Sequence, residues 1–464
     1  MPVLSEQGVA FDISVPVLII GAGACGLTAA LAAKEAGAEP LVLERDPKPT
    51  GSTSLSTGLI PAAGTRLQDA RGIDDSPEVF AEDLMAKAKH QNDPDIATFI
   101  AEISGPTLDW LMESHGLEFR LVEGFLYPGH SRIRMHGTPS RTGAELQAGL
   151  LAAVQKARID IMAGALVQEL FADPSGSIRG ARMLRSDGRR EQVGCGALVL
   201  ACNGYGGNPE MVRRYIPEMT DAPFFGHAGN QGDAVNWGLE LGAAVADMGG
   251  YQGHGAVAHP QGLPVVWGVL TEGGFQVNSN GERFSNEVRG YSEQAVDVVR
   301  QPDQIAWNIY DQRCQEPALD FTEYRQLRDI GAVKVADTVA ELAAATGLPE
   351  DALDRTLAQV REMALGSLED PFSRDFTVKP QLEPPYCAIR VTGALFHTQG
   401  GLVIDRRARV LKTDGEPLPN LFAGGGAARG LSGPSRWGYL SGNGLLTAVN
   451  LGRVAGREAA KAVA

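Results

Sequence analysis

Gly21-Ala22-Gly23-Ala24-Cys25-Gly26 follows the apolar run Val17-Leu18-Ile19-Ile20 and leads into a helix-compatible segment, Leu27 to Glu35. A second apolar run, Pro40-Leu41-Val42-Leu43, ends in Glu44. Residues of these types in this pattern can hold phosphates. Gly21 permits a tight turn, Gly23 lets a pyrophosphate approach the backbone, and Gly26 lets helix and strand pack closely. Helix-terminal N–H groups and the helix dipole then face the anion. Glu44, roughly twenty positions beyond the first glycine, stands where a carboxylate accepts hydrogen bonds from a ribose. The strand–turn–helix–strand context reads as a dinucleotide site rather than a bare glycine turn.

A second group of reactive residue types lies far downstream. His254, His259, Thr271, Glu272, Arg283, Glu287, Arg289 and Tyr291 are polar singletons in a stretch with few periodic signals. Taken alone, Tyr291 reads as a partly buried aromatic with a satisfied hydroxyl. His130, His136 and His227 belong to no motif, and Trp267 and Trp437 suit either a site wall or a core. The five cysteines, Cys25, Cys195, Cys202, Cys314 and Cys387, form no CxxC pair. Neither a metal site, a redox disulfide nor a haem attachment is expected, and Cys25 reads as a small packing residue in the turn.

The elements that position these groups show in the patterning. Helical periodicity runs through 76–115, and further helices are expected at 143–157, 233–242, 337–345, 350–364 and 445–462. Val167 to Asp187 reads as two strands joined at Asp173-Pro174-Ser175-Gly176. Ala197 to Ala201 is a buried strand running into Cys202-Asn203-Gly204, and Leu418 to Ala423 another running into Gly424-Gly425-Gly426. Gly51-Ser52-Thr53-Ser54-Leu55-Ser56-Thr57-Gly58 is rich in hydroxyls and backbone donors; by composition it is a solvent loop, though it can also pass beneath a flat cofactor. At 464 residues two or three units are expected. Hydrophobic content of 44% and charged content of 21% are those of a globular protein. A net charge of −15 without a Lys/Arg block argues against nucleic-acid or anionic-membrane partners. No run approaches a membrane span, and a cytoplasmic setting is expected.

The order of motifs resembles the flavoprotein family of soluble fumarate reductase and the 3-ketosteroid dehydrogenases. The matching pieces are GAGACGL, ALVLACNGYGGNPEM, GNQGDAVNWGLELGA, TEGG…VNSNGERFSNE, FHTQGGLVID, LPNLFAGGGA and GNGLLTAVNLGRVAG. The resemblance implies an α/β fold: a Rossmann-like FAD domain built from both chain ends (1–235 and 375–464) and interrupted by an α+β capping domain at 236–374. It implies FAD in the glycine turn, held by Gly21, Gly23, Ala24, Cys25, Gly26, Glu44 and Arg45. Ser52, Thr53, Ser54 and Gly58 would line its early segment. Val167, Ala201, Asn203, Gly204 and Asp233 would follow, and Gly425, Gly444 and Leu445 would close the cradle. No early histidine stands where membrane-bound relatives attach FAD, so non-covalent FAD is expected.

Mapped residue by residue, His259 keeps a His-Pro pair ahead of Thr271-Glu272, and His397 matches a carboxylate-binding histidine. His254 rivals His259, because its spacing from Asp247 suits the family better. The family's catalytic arginine, four positions after the Glu of Arg-Phe-x-x-Glu, falls on Tyr291; its second clamp arginine falls on Tyr439. Arg289 and Arg436 lie nearby and can reach in. The pattern Gly438-Tyr439-Leu440-Ser441-Gly442 is what the ketosteroid dehydrogenases show. The expectation is an FAD oxidoreductase acting on a C–C bond beside a carbonyl, with Tyr291 as acid/base, Tyr439 and Ser441 binding or deprotonating substrate, and His397 holding its oxygen. Arg283 and Glu287 are expected to pair structurally. A carboxylate substrate bound by His259, Thr271, Glu272, His397 and a shifted arginine is the alternative, and a non-catalytic flavin-binding redox sensor is a third. An electron donor or acceptor outside the chain is implied.

Overall fold

The apolar run before the glycine turn forms the strand Ile13–Ile20, its last four residues buried, in a computed structural model that describes residues 2–124 and 126–464. This strand pairs in parallel with Pro40–Leu43, Leu18 opposite Leu41, and with Arg190–Leu200, Leu18 opposite Leu198. Asp160–Met162 extends the parallel set on one side and Pro417–Ala423 on the other. Strands this continuously apolar suit a parallel sheet covered on both faces. The first half of Arg190–Leu200 runs antiparallel to Ile178–Arg185, which forms a hairpin with Ala165–Ala172. The turn is the expected one, with the Gly176 N–H donating to Asp173 O at 2.9 Å.

Helix Ala24–Glu35 is buried from Ala24 to Ala33. It lies against the closing helix Asn443–Val463, so closely that a Cβ on Gly456 would collide with Ala29 O. Contact between helix backbones requires small residues, and alanine and glycine supply them on both sides. The two chain ends thus meet in one nine-stranded sheet with its helices.

The chain divides into two units. The first takes the chain up to Ile216 with Gly226–Tyr251 and His397–Ala464, and the second takes Pro217–Phe225 with Gln252–Phe396. The inserted unit therefore differs from the expected 236–374 at both ends. Helix Asp233–Glu240 belongs to the first unit because Trp237 is enclosed in its core with Ala243 and Leu402. Strand Val245–Ala246 likewise pairs with Gly401–Leu402. The Pro-rich stretch 380–385 is no boundary, because Tyr386–Thr398 follows it into the sheet of the second unit and pairs with Ile305–Asp311. That five-stranded sheet runs Tyr251–Ala258, Tyr386–Thr398, Ile305–Asp311, Phe275–Val277, with Lys334–Ala336 also on Tyr386–Thr398. Helices Val339–Thr346 and Glu350–Ala364 stand where periodicity placed them. Among the described residues, no helix is long and apolar enough to cross a membrane, and no cluster could hold a metal ion.

Candidate functional site

The glycine turn is built as its residue types require. Gly21 has φ +107°, a left-handed conformation that side chains resist, and a Cβ on Gly26 would strike Gly21 O. Glu44 is 6% exposed; its Oε2 accepts the Ala22 N–H and its Oε1 the Asp46 N–H, both at 2.9 Å. Each carboxylate oxygen retains acceptor capacity for a further donor. Thr53 Oγ1 accepts the Ala24 N–H at 2.9 Å, which brings the hydroxyl-rich segment onto the turn as a short helix, Gly51–Ser54, rather than a free loop. Ser54 turns back to Thr50 O, and the Gly58 N–H donates to Ser56 Oγ.

Ser52 Oγ accepts from Asn203 Nδ2 at 3.1 Å and Asn230 Nδ2 at 2.9 Å, while Arg45 Nη1 donates to Gly229 O at 2.8 Å. Ala201 and Asn203 end the strand Arg190–Leu200 at the turn, and the Asn203 side chain accepts the Gly204 N–H at 2.8 Å. Burial raises the Asp233 carboxyl, opposed by Arg45. Val167 is buried in Ala165–Ala172 just before a register irregularity, a place where backbone groups leave the ladder. On the other chain end, Gly425 sits at φ +57° against the Cys25 side chain. Burial pushes the Cys25 thiol up to about 12, which suits packing and not redox chemistry.

These residues fit FAD. Helix Ala24–Glu35 has Gly23 as its N-cap with no side-chain capping bond and no acid in its first turn. The closing helix begins the same way at Gly442. Gln147 donates to Ala22 O at 2.7 Å and leaves its buried Oε1 without a partner. Helix starts whose N-cap residue, a glycine, offers no side chain leave their remaining N–H groups for a pyrophosphate.

In the second unit, Tyr291 opens helix Tyr291–Val299 and is 8% exposed. The His254 ring lies 5.3 Å from Tyr291 and 5.3 Å from Phe396, nearly parallel to both, with Trp267 edge-on at 5.6 Å. His254 Nδ1 accepts the Ala256 N–H at 3.2 Å, so Nε2 carries the ring proton. Burial lowers His254 to about 4, keeping it neutral. His254, not His259, therefore keeps company with Tyr291. His259 is five residues on, about 16 Å at strand rise and on the opposite face, half-exposed at the turn. Thr271 caps back onto Gly268 O, and the Glu272 carboxylate is taken by Lys379 at 2.8 Å. Arg289 is exposed and donates to Phe372 O.

In the first unit, His397 and Tyr439 meet edge to face at 5.4 Å. A Cβ on Gly444 would come within 2.6 Å of His397 Nε2, so this glycine makes room for the imidazole, and Leu445 follows it half-buried. Burial lowers His397 to about 4 and raises the Tyr439 hydroxyl, so both are neutral near pH 7. Ser441 is 2% exposed and its Oγ has no hydrogen-bond partner. Residue types alone did not single out Gln399, Ser432 or His130. Gln399 Nε2 approaches His397 Nδ1 at 3.3 Å, Ser432 Oγ meets Gln399 Oε1 at 2.9 Å, and His130 Nε2 donates to Ser441 O at 3.0 Å. Strand alternation, which puts 397 and 399 on one face, was the available signal for Gln399. Arg436 is half-buried, in the short turn Arg436–Gly438 just ahead of Tyr439.

Arg283 and Glu287 pair through two bonds, at 2.9 and 3.0 Å. Asp370 and Arg374 complete a buried foursome, with Arg283 to Asp370 at 2.5 Å and Arg374 to Glu287 at 3.0 Å.

Known proteins carry the same architecture. A family model described as an FAD binding domain matches residues 16–445. A probable fumarate reductase of Shewanella frigidimarina is 32% identical over 449 residues, covering 96% of this chain and 74% of that protein. The open conformation of a flavocytochrome c3 fumarate reductase superposes with a TM-score of 0.82 at 31% identity, over 98% of this chain and 79% of that one. The 3-ketosteroid-Δ4-(5α)-dehydrogenase from Rhodococcus jostii RHA1, in complex with 4-androstene-3,17-dione, gives 0.78 at 27% identity, over 99% of both chains.

Proposed function

Because the chain belongs to the FAD binding domain family and is an FAD-dependent oxidoreductase acting on C=C bonds, we propose that it desaturates, or in reverse saturates, a C–C bond beside the carbonyl of a cyclic ketone. FAD, when bound, supplies the hydride acceptor or donor. Gly21–Gly26, Glu44, Thr53, Asn203 and Gly425 are the residues that would hold it.

The observation that carries this reading is Ser441 Oγ, buried without a partner two residues from the buried Tyr439. An unsatisfied buried hydroxyl costs about 1–3 kcal/mol, a cost that a ligand oxygen relieves. Tyr439, kept neutral by burial, donates a hydrogen bond to the ketone oxygen, as does Ser441. Withdrawing electron density there acidifies the neighbouring C–H. In the second unit, Tyr291, its ring steadied by the neutral His254, is the residue we assign to acid/base chemistry. His397, held by Gln399, presents Nε2 toward the same oxygen. Neutral hydroxyls suit a neutral ketone, where two arginines would suit a dianion.

Anaerobic mixing with a panel of 3-ketosteroids, cyclic ketones and di- or tricarboxylates tests this. A ketone is expected to bleach the flavin, and Tyr291→Phe is expected to slow single-turnover bleaching by about 10²–10⁴-fold while FAD content stays level. Rapid reoxidation of the reduced flavin by fumarate, with every ketone silent, would establish instead the carboxylate chemistry named for the Shewanella relative.

A further inference from the structure

The segment ahead of Tyr439 is held rigidly. Asn92 Nδ2 donates to Leu431 O at 2.9 Å, Ser432 Oγ to Gln399 Oε1 at 2.9 Å, and a Cβ on Gly438 would collide with Ser432 O. From this fixed base rises Arg436, half-buried, with Trp437 beside it. Lys89 stands with its ammonium 4.2 Å from the centre of the Trp437 ring. Neither Arg436 nor Lys89 has a carboxylate partner among the described residues. Three acids of the neighbouring elements are engaged elsewhere: Asp93 and Asp247 both bind Arg429, at 2.8 and 2.6 Å, and Asp83 binds Arg134 and Ser131. In a chain of net charge −15, Lys89 over the Trp437 ring and Arg436 next to it in the chain are two cations without a carboxylate partner among the described residues.

We propose that Arg436, with Lys89 at its rim and Trp437 as its wall, is an anion subsite for a carboxylate carried by the ketone substrate at a point remote from its reacting carbonyl. The substrate class is then a ring ketone with an acidic side chain. This rests on the ketone reading and deepens it. Tyr439 lies three positions after Arg436, so their backbones are at most about 11 Å apart. A guanidinium binds a carboxylate bidentately and fixes its direction, which would present one edge of the ring ketone to Tyr439 and Ser441.

The test compares a ring ketone carrying a carboxylate side chain with its methyl ester, on holoenzyme. The acid is expected to be preferred in kcat/KM, and Arg436→Gln to reduce the acid-to-ester ratio by about 10–100-fold. Arg436→Lys should recover part of that ratio. High salt should weaken calorimetric binding of the acid to the wild type and leave the ester's binding unaltered. An unchanged ratio in Arg436→Gln, or salt-insensitive binding of the acid, overturns the subsite. Loss of FAD from Arg436→Gln, with the acid preference of the retained holoenzyme intact, would assign the arginine to the cofactor phosphates and also overturn it. If neither acid nor ester bleaches the flavin but the acid still binds in a salt-sensitive, Arg436-dependent way, the ketone chemistry fails while the anion subsite stands.

Discussion

Several buried histidines tie stability to pH. Burial pushes His130, His136 and His254 down to about 4, with Arg134 adding to the effect on His130. Histidines of an unfolded chain titrate near 6.5, so the unfolded state takes up protons first as pH falls. The folded-state values are depressed for a base. The stability these residues contribute is therefore complete above about pH 6.5 and is lost as pH falls toward about 4, by up to about 3 kcal/mol per histidine. Denaturant midpoints are expected to be level from about pH 7 to 8 and to decline steadily below about 6.5. A level profile down to about pH 4.5 would show that these imidazoles are already protonated in the fold.

At the scale of elements, the second unit hangs helix Tyr291–Val299 on charge. Glu287 opens the short turn Glu287–Arg289 that precedes helix Tyr291–Val299, and it is fully enclosed. Burial alone would raise its carboxyl, but Arg283 and Arg374 outweigh burial and hold it below the usual range. Arg374 in turn donates to Leu270 O and Gly274 O, at 2.9 and 2.8 Å, so one network ties the Trp267 segment to the Tyr291 segment. Removing one partner of a buried pair strands the other charges. Glu287→Gln is expected to cost about 3–5 kcal/mol of stability, read as a lowered melting temperature. It should also slow flavin reduction without altering FAD content. A melting temperature within a degree or so of wild type would mean that the network is solvated and contributes little. Arg283 and Glu287 were expected as a pair from their spacing of four; Asp370 and Arg374, far along the chain, could not be attached to them by any local pattern.

For the whole molecule, the glycines expected to hold FAD come from both chain ends. The glycine turn lies at residues 21–26, Gly425 and Gly444 lie near the C-terminus, and the two helices that follow these turns touch backbone to backbone. FAD should therefore stabilise both ends together. At a free concentration about a hundred times its Kd, FAD contributes about 2.7 kcal/mol. Hydrogen exchange is expected to show peptides spanning 17–28 and 443–456 losing protection together, by up to about 100-fold, when FAD is stripped. Loss confined to the N-terminal peptides would mean that the glycine turn alone carries the cofactor.

What the amino-acid order determined by itself was local. The turn with its three glycines, Glu44 at the next strand end, the hairpin at Asp173–Gly176 and the helical periods are written in spacings of two to about twenty residues. The conformational demands that read them out, positive φ and side-chain alternation, act over the same range. The motif order also led to the flavoprotein family and to the tyrosines at 291 and 439. Only the tertiary structure chose His254 over His259, because that choice depends on which face of a strand meets Tyr291 and Phe396. Only the tertiary structure moved the limits of the inserted unit to Gln252 and Phe396, since strand pairing across some eighty residues overrules a proline-rich stretch. And only there did Arg436 lose its neighbours' carboxylates, because ion pairing is settled by proximity in space, to which spacing along the chain is blind.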